Sequence, residues 1–163
     1  EKVQDKKYFD MFYLNEFKES SKACGTNPLA KDIVAYAKEK IGLVVLSTNP
    51  IFPKNGILTR MSFIHLNEDD FDGITSYETC FHCKTNPKYF LDLLEKYHLK
   101  GEEVILFGNN DVEDYLCAGQ AGIRCYLVGE NLILHPELKL NPPKIKMEEI
   151  KKVIDEEYRK GLK

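Results

Sequence analysis

The chain has 163 residues, 43% hydrophobic and 30% charged, which is one domain or one domain with a small appendage. That composition excludes disorder, collagen and transmembrane arrays. Lys and Arg number 23 against 26 Asp and Glu, a net charge of −3 with no basic stripe, so nucleic acid is not an expected partner. No apolar run nears the roughly 20 residues that span a bilayer, so no membrane partner is expected.

Cys24, Cys80, Cys83, Cys117 and Cys125 form an odd set with no signal peptide ahead of them, which points to reduced thiols and a cytoplasmic setting. The first residue is Glu1 rather than Met: either the start is processed away or a natural N-terminal part is missing.

In chain order, Phe9, Phe12, Tyr13 and Phe17 lie three to four apart, an apolar helical stripe that reads as core or domain-contact surface. Thr26-Asn27-Pro28 joins a capping residue to a proline at the first helical position and opens a helix to about Lys40, which Gly42 stops. Leu43-Val44-Val45-Leu46 has the pattern of a strand buried on both faces. The pattern then predicts a helix from Pro53 to about His65 and a strand at Ile74-Thr75-Ser76-Tyr77. Asn86-Pro87 repeats the cap and opens a helix to His98, with Tyr89, Phe90, Leu93, Leu94 and Tyr97 on its apolar side. Val104–Phe107 reads as a further apolar strand, Asp111–Gln120 as a helix, and Cys125–Val128 as the last strand. Asn141-Pro142-Pro143 breaks the chain ahead of a terminal amphipathic helix, Met147–Lys160. Strands alternating with such helices mean βαβ units and a parallel sheet covered on both faces.

In an open parallel sheet, ligands bind beyond the carboxyl ends of the strands. Ser47-Thr48-Asn49-Pro50 follows the first strand; Thr48 either caps the next helix or offers a hydroxyl. Gly108-Asn109-Asn110-Asp111-Val112-Glu113-Asp114 follows the third, an oxygen-rich cluster suited to a hard cation such as Mg²⁺, although each acid alone is an ordinary first-turn residue. Lys84 lies just before the cap at Asn86; taken alone it is a solvated surface lysine, and in a site it would neutralise a phosphate or carboxylate.

As a set, these segments resemble the haloacid dehalogenase superfamily of phosphohydrolases over about residues 26–130. Leu43 to Asn49 looks like the second motif of that family, an apolar strand ending in Thr or Ser, here Thr48. Lys84-Thr85-Asn86-Pro87 is similar to its lysine motif, with Thr85 departing from the usual proline. Gly108 to Asp114 looks like its fourth motif, Gly-Asp-x4-Asp, with Asn109 replacing the first acid and Asp114 keeping the second; Ala118 to Ile123 continues the likeness.

The resemblance implies a three-layer Rossmann-like α/β fold with a parallel sheet: residues 1–25 the end of a helical cap, 26–140 the α/β core, and 141–163 a helical tail. It implies a Mg²⁺-dependent phosphatase acting on a small phosphorylated metabolite through an aspartyl-phosphate. Thr48 and Lys84 would be its catalytic residues, Thr48, Asn49 and Lys84 its substrate contacts, and Asn109 and Asp114 its metal ligands. The first motif of the family, an Asp-x-Asp-Gly-Thr loop carrying the nucleophile, is not found in residues 1–30, so an upstream segment with its own central strand is expected. A non-catalytic binding or scaffold protein on the same fold is the competing reading, favoured by Asn109. Cys80-Phe81-His82-Cys83 lacks the further ligands a structural zinc needs and reads as loop cysteines. His65 and His98 end helical patterns.

Overall fold

Every strand pairing among the described residues is parallel, and helices separate the first four strands as the apolar runs and caps predict. The computed structural model describes residues 2–161, with side chains from residue 7 onward. The elements are α1 (Lys2–Leu14), α2 (Ala30–Ile41), β1 (Val45–Leu46), α3 (Lys54–Ser62), β2 (Gly73–Ile74), α4 (Lys88–Tyr97), β3 (Ile105–Gly108), α5 (Cys117–Gln120), β4 (Arg124–Val128), β5 (Lys144–Ile145) and α6 (Ile150–Arg159). The architecture is α/β and Rossmann-like. The chain divides into two compact units, Glu1–Lys38 with Leu43–Cys80, and Glu39–Gly42 with Phe81–Lys163.

In the first unit β1 pairs with β2, Val45 opposite Gly73 and Leu46 opposite Ile74. The Asp72 carboxylate extends this ladder by accepting the Val44 N–H at 2.8 Å. Ile57, Met61 and Leu66 form the core, with Val34, Leu46, Phe52 and Ile74 packed on them. The aromatic stripe of the N-terminal segment joins through Tyr13, whose ring meets Phe17 at 5.1 Å and Phe52 at 6.2 Å, both edge-on. Phe9 stays 65% exposed and takes no part in that core.

In the second unit the strand order is β3-β4-β5, with Ile105 opposite Arg124 and Leu127 opposite Lys144. Sequence reasoning did not anticipate β5, because Pro142-Pro143 reads as a break. A proline lacks only the N–H: Leu127 donates to the Pro143 carbonyl at 2.9 Å, so the strand forms at the sheet edge. Helix α4 buries Tyr89, Phe90 and Leu94 and ends where His98 turns left-handed (φ 56°); His65 ends α3's trailing turn likewise (φ 59°). Residues 111–120 are not one uniform helix. Tyr115 N–H reaches back five residues to the Asn110 carbonyl, giving a π-helical turn over Asp111–Leu116 ahead of α5. Such turns recur at functional sites.

Helix α6 docks through Ile150, Val153 and Ile154, all buried, and through Glu157, which is 2% exposed. Glu157 Oε1 accepts from Tyr126 Oη at 2.9 Å and Lys160 Nζ at 2.8 Å, while Oε2 lies 2.7 Å from Arg124 Nε in a charge pairing without hydrogen-bond alignment. Burial alone would raise the pKa of this carboxyl, but the bonds from Lys160 and Tyr126 and the Arg124 charge hold it below the ordinary value. Glu157→Gln is therefore expected to cost about 2 kcal/mol in urea unfolding at pH 7. The wild-type advantage is present above the ordinary carboxyl pKa and fades as pH falls through the lowered one; equal stability of the two at pH 7 would contradict it.

Candidate active site

Lys84 and Asp114 form the centre of the second unit's strand-end cluster. Lys84 is 7% exposed and Asp114 3%, and Lys84 Nζ donates to Asp114 Oδ1 at 2.6 Å. Asp114 Oδ2 accepts the backbone N–H groups of Asn109 at 2.9 Å and Asn110 at 3.0 Å. The carboxylate thus ties the loop after β3 to the lysine that precedes α4. Gly108 permits this approach: a Cβ there would stand 2.4 Å from the Asp114 carboxyl. The Asn110 side chain accepts from Val112 and Glu113 N–H and caps the π turn. Beneath the pair, Cys125 is 4% exposed; burial first and the Asp114 charge second push its thiol up to about 12, so it stays protonated.

This geometry bears directly on the expected metal ligands. Both Asp114 oxygens are engaged, one by an ammonium group, and the side chain is too buried to admit an ion that keeps several waters. As placed, Asp114 serves the lysine and the loop. Asn109 is exposed, and its amide nitrogen reaches the Asn131 carbonyl at 3.4 Å. Among the described residues no group of three or more His, Cys, Asp or Glu side chains is arranged to hold a metal ion. Cys80 and Cys83 are free thiols, and His82 Nδ1 pairs instead with Asp92 Oδ2 at 2.7 Å.

Thr48 and Asn49 belong to the first unit. There the Thr48 hydroxyl donates to the Thr75 carbonyl at 2.9 Å, and the Thr48 N–H donates to Thr75 Oγ1 at 2.7 Å. Thr75 is 3% exposed. The sequence pattern marks Thr75 only as part of a strand; the signal for its role is a hydroxyl at the end of β2 matching the one after β1.

Sequence reasoning also missed the partner of Asp111. That residue is 3% exposed, and its carboxylate takes His135 N–H at 2.7 Å on Oδ2 and lies 2.6 Å from His135 Nδ1 on Oδ1. Burial alone would raise the Asp111 pKa, but the bonds from the His135 side chain and backbone and the imidazolium charge lower it overall. The bond to Asp111 raises the His135 pKa, with Glu137 adding to the effect. The pair's stabilisation is therefore full between the ordinary values of 3.8 and 6.5. It is lost as pH falls through the lowered Asp111 pKa, or rises through the raised His135 one. A thermal-melting series across neutral pH should show the wild-type midpoint approaching that of His135→Gln as pH rises; parallel curves would refute it.

Comparisons with known proteins bear on this cluster. The sequence profile of a family described as haloacid dehalogenase-like hydrolase matches residues 3–128. No curated protein matches the sequence. Among solved structures, a candidate β-phosphoglucomutase from Thermotoga maritima is 26% identical with a TM-score of 0.66, over 80% of this chain and 60% of its own. A haloacid dehalogenase-superfamily hydrolase of subfamily IA from Geobacter sulfurreducens is 17% identical with a TM-score of 0.61, over 85% of this chain and 64% of its own. CbbY from Rhodobacter sphaeroides, in complex with xylulose-(1,5)-bisphosphate, is 20% identical with a TM-score of 0.56, over 72% of this chain and 52% of its own. The chain thus spans under two thirds of the length of each of these three structures. Among the described residues no helix is long and apolar enough to cross a membrane. With the profile matching well over half its length, including both strand-end loops and the lysine between them, the chain belongs to the haloacid dehalogenase-like hydrolases.

Proposed function

We propose that the complete protein is a phosphomonoester hydrolase working through an aspartyl-phosphate, with the nucleophilic aspartate supplied upstream of these 163 residues. The observation that carries this reading is the buried Lys84–Asp114 pair: a lysine held in place just past a strand end, where an unpaired one would turn to water. β1 and β3 each pair as strands on one side only among the described residues, and a further strand would cover such edges.

In this reading an upstream carboxylate oxygen attacks phosphorus, the bond to the ester oxygen breaks, and water then hydrolyses the acyl phosphate. The Lys84 ammonium donates to a phosphoryl oxygen and stabilises the charge that builds there, and Asp114 holds it in that position. Thr48 and Asn49 would contact phosphoryl oxygens, which requires the Thr48 hydroxyl to release the Thr75 carbonyl. The substrate is a small phosphorylated metabolite, in keeping with the sugar bisphosphate bound by the Rhodobacter relative. The setting proposed is the cytoplasm, where the five free thiols would stay reduced.

Haloacid dehalogenase-like hydrolases generally use Mg²⁺. The residues of this chain do not fit such a site by themselves, since Asp114 is committed to Lys84 and Asn109 offers one neutral amide. That donor set also favours a second reading, a non-catalytic phosphate-binding member of the family. The test is aryl-phosphate turnover by the protein extended upstream, with Mg²⁺ added. Hydrolysis supports the enzyme; an inert extended protein carrying both motif aspartates supports the binding protein.

A further inference from the structure

Beyond β4 the chain runs from Gly129 to Lys139 with much of its apolar surface outward: Ile133 is 51% exposed, Leu134 41% and Leu138 47%. It buries little that would order it through packing. Its attachments are polar, and they converge on the loop after β3. Ile133 N–H donates to the Asn109 carbonyl at 2.8 Å, and Asp111 N–H donates to the Ile133 carbonyl at 3.0 Å, a parallel bridge centred on Asn110. Asn109 Nδ2 reaches Asn131 O at 3.4 Å. His135 closes the run with two bonds to the buried Asp111 carboxylate, and because an ionised carboxylate only accepts, Nδ1 carries the proton.

We infer that Asn131–His135 is a latch on the loop after β3, and that His135 is a positioning residue for Lys84. The path is continuous in hydrogen bonds. His135 and Ile133 set the backbone of 109–111; the N–H groups of Asn109 and Asn110 then hold Asp114 Oδ2, and Asp114 Oδ1 holds Lys84 Nζ. Two carboxylates on one π turn thus have separate tasks. Asp114 faces the lysine, and Asp111, three residues earlier, faces the latch. Releasing the latch frees the loop to drift, and the two N–H donors that orient Asp114 drift with it. The inference rests on the phosphohydrolase reading only in naming phosphate as the ligand of Lys84.

The experiment is ¹H–¹⁵N NMR on the 163-residue chain, comparing wild type with His135→Phe, which keeps a ring but no ring donor, and with His135→Asn, whose amide N–H can replace Nδ1–H. His135→Ala serves if the phenylalanine variant does not fold. The ligand-free spectra come first: the Asn109 and Asn110 amides and the Lys84 ammonium should shift in His135→Phe and return toward wild type in His135→Asn. Inorganic phosphate is then titrated, with the Lys84 signal as reporter; His135→Phe should bind about three- to tenfold more weakly, and His135→Asn within about twofold of wild type. A variant that melts earlier yet leaves those amides, the ammonium and the phosphate affinity unchanged would show a purely structural strap and overturn the inference. If wild-type Lys84 ignores phosphate, the phosphohydrolase reading loses its support, while the ligand-free shifts still decide the latch.

Discussion

Asp114→Ala is expected to lower the unfolding free energy by about 3–5 kcal/mol, the range for breaking a buried ion pair from one side. The change takes the carboxylate from beside the Lys84 ammonium, 7% exposed, and leaves the Asn109 and Asn110 N–H groups without the Asp114 acceptor. Each of those losses leaves the full desolvation cost of a polar group uncompensated. Asp114→Asn should cost less, because its carbonyl oxygen still accepts the two backbone N–H groups. Combining Asp114→Asn with Lys84→Met should recover much of what Asp114→Asn loses alone, since the buried ammonium is then removed together with its opposing carboxylate. Gly108→Ala approaches the same site from the other side: its Cβ would stand 2.4 Å from the Asp114 carboxyl, so the carboxylate must move and the pair must open. Urea unfolding of the four variants measures all of this. An Asp114→Ala midpoint within error of wild type would show that water, not the lysine, holds that carboxylate.

The burial of Lys84 explains what the sequence conveyed and what it hid. Apolar runs at 43–46 and 104–107 and the cap at Asn86-Pro87 placed β1, β3 and α4, because strand and helix periodicity are local properties. The lysine and the strand-end loop were found by the order of their motifs, yet their pairing depends on a contact thirty residues apart in sequence, which no local pattern encodes. Asp111 and Asp114 look alike as first-turn acids. Only the π turn, set by Asn110, sends one to Lys84 and the other to His135. His135 carried no signal, since it follows Pro-free coil and precedes a proline without any motif around it. β5 was hidden by the meaning of proline: Pro142-Pro143 does end regular helix, but a carbonyl is all β4 needs at that edge.

The largest expected effect on activity belongs to Lys84. In the protein extended upstream, Lys84→Ala should reduce aryl-phosphate turnover by about 10²-fold or more, the cost of removing a preorganised donor aimed at developing charge. The loss should fall on kcat more than on KM, because the charge on the bridging and phosphoryl oxygens grows toward the transition state. Lys84→Arg should not rescue it. A guanidinium is broader than an ammonium, and the lysine's place is already bounded by a carboxylate at 2.6 Å within a nearly closed setting. Thr48→Val, which removes a hydroxyl already bonded to Thr75, should cost less than Lys84→Ala. The 163-residue chain by itself should show no turnover, since lysine and threonine bind charge but form no bond to phosphorus. Turnover by that chain would place a nucleophile among the residues described here, and Lys84→Ala with unchanged kcat in the extended protein would remove the lysine from the chemistry altogether.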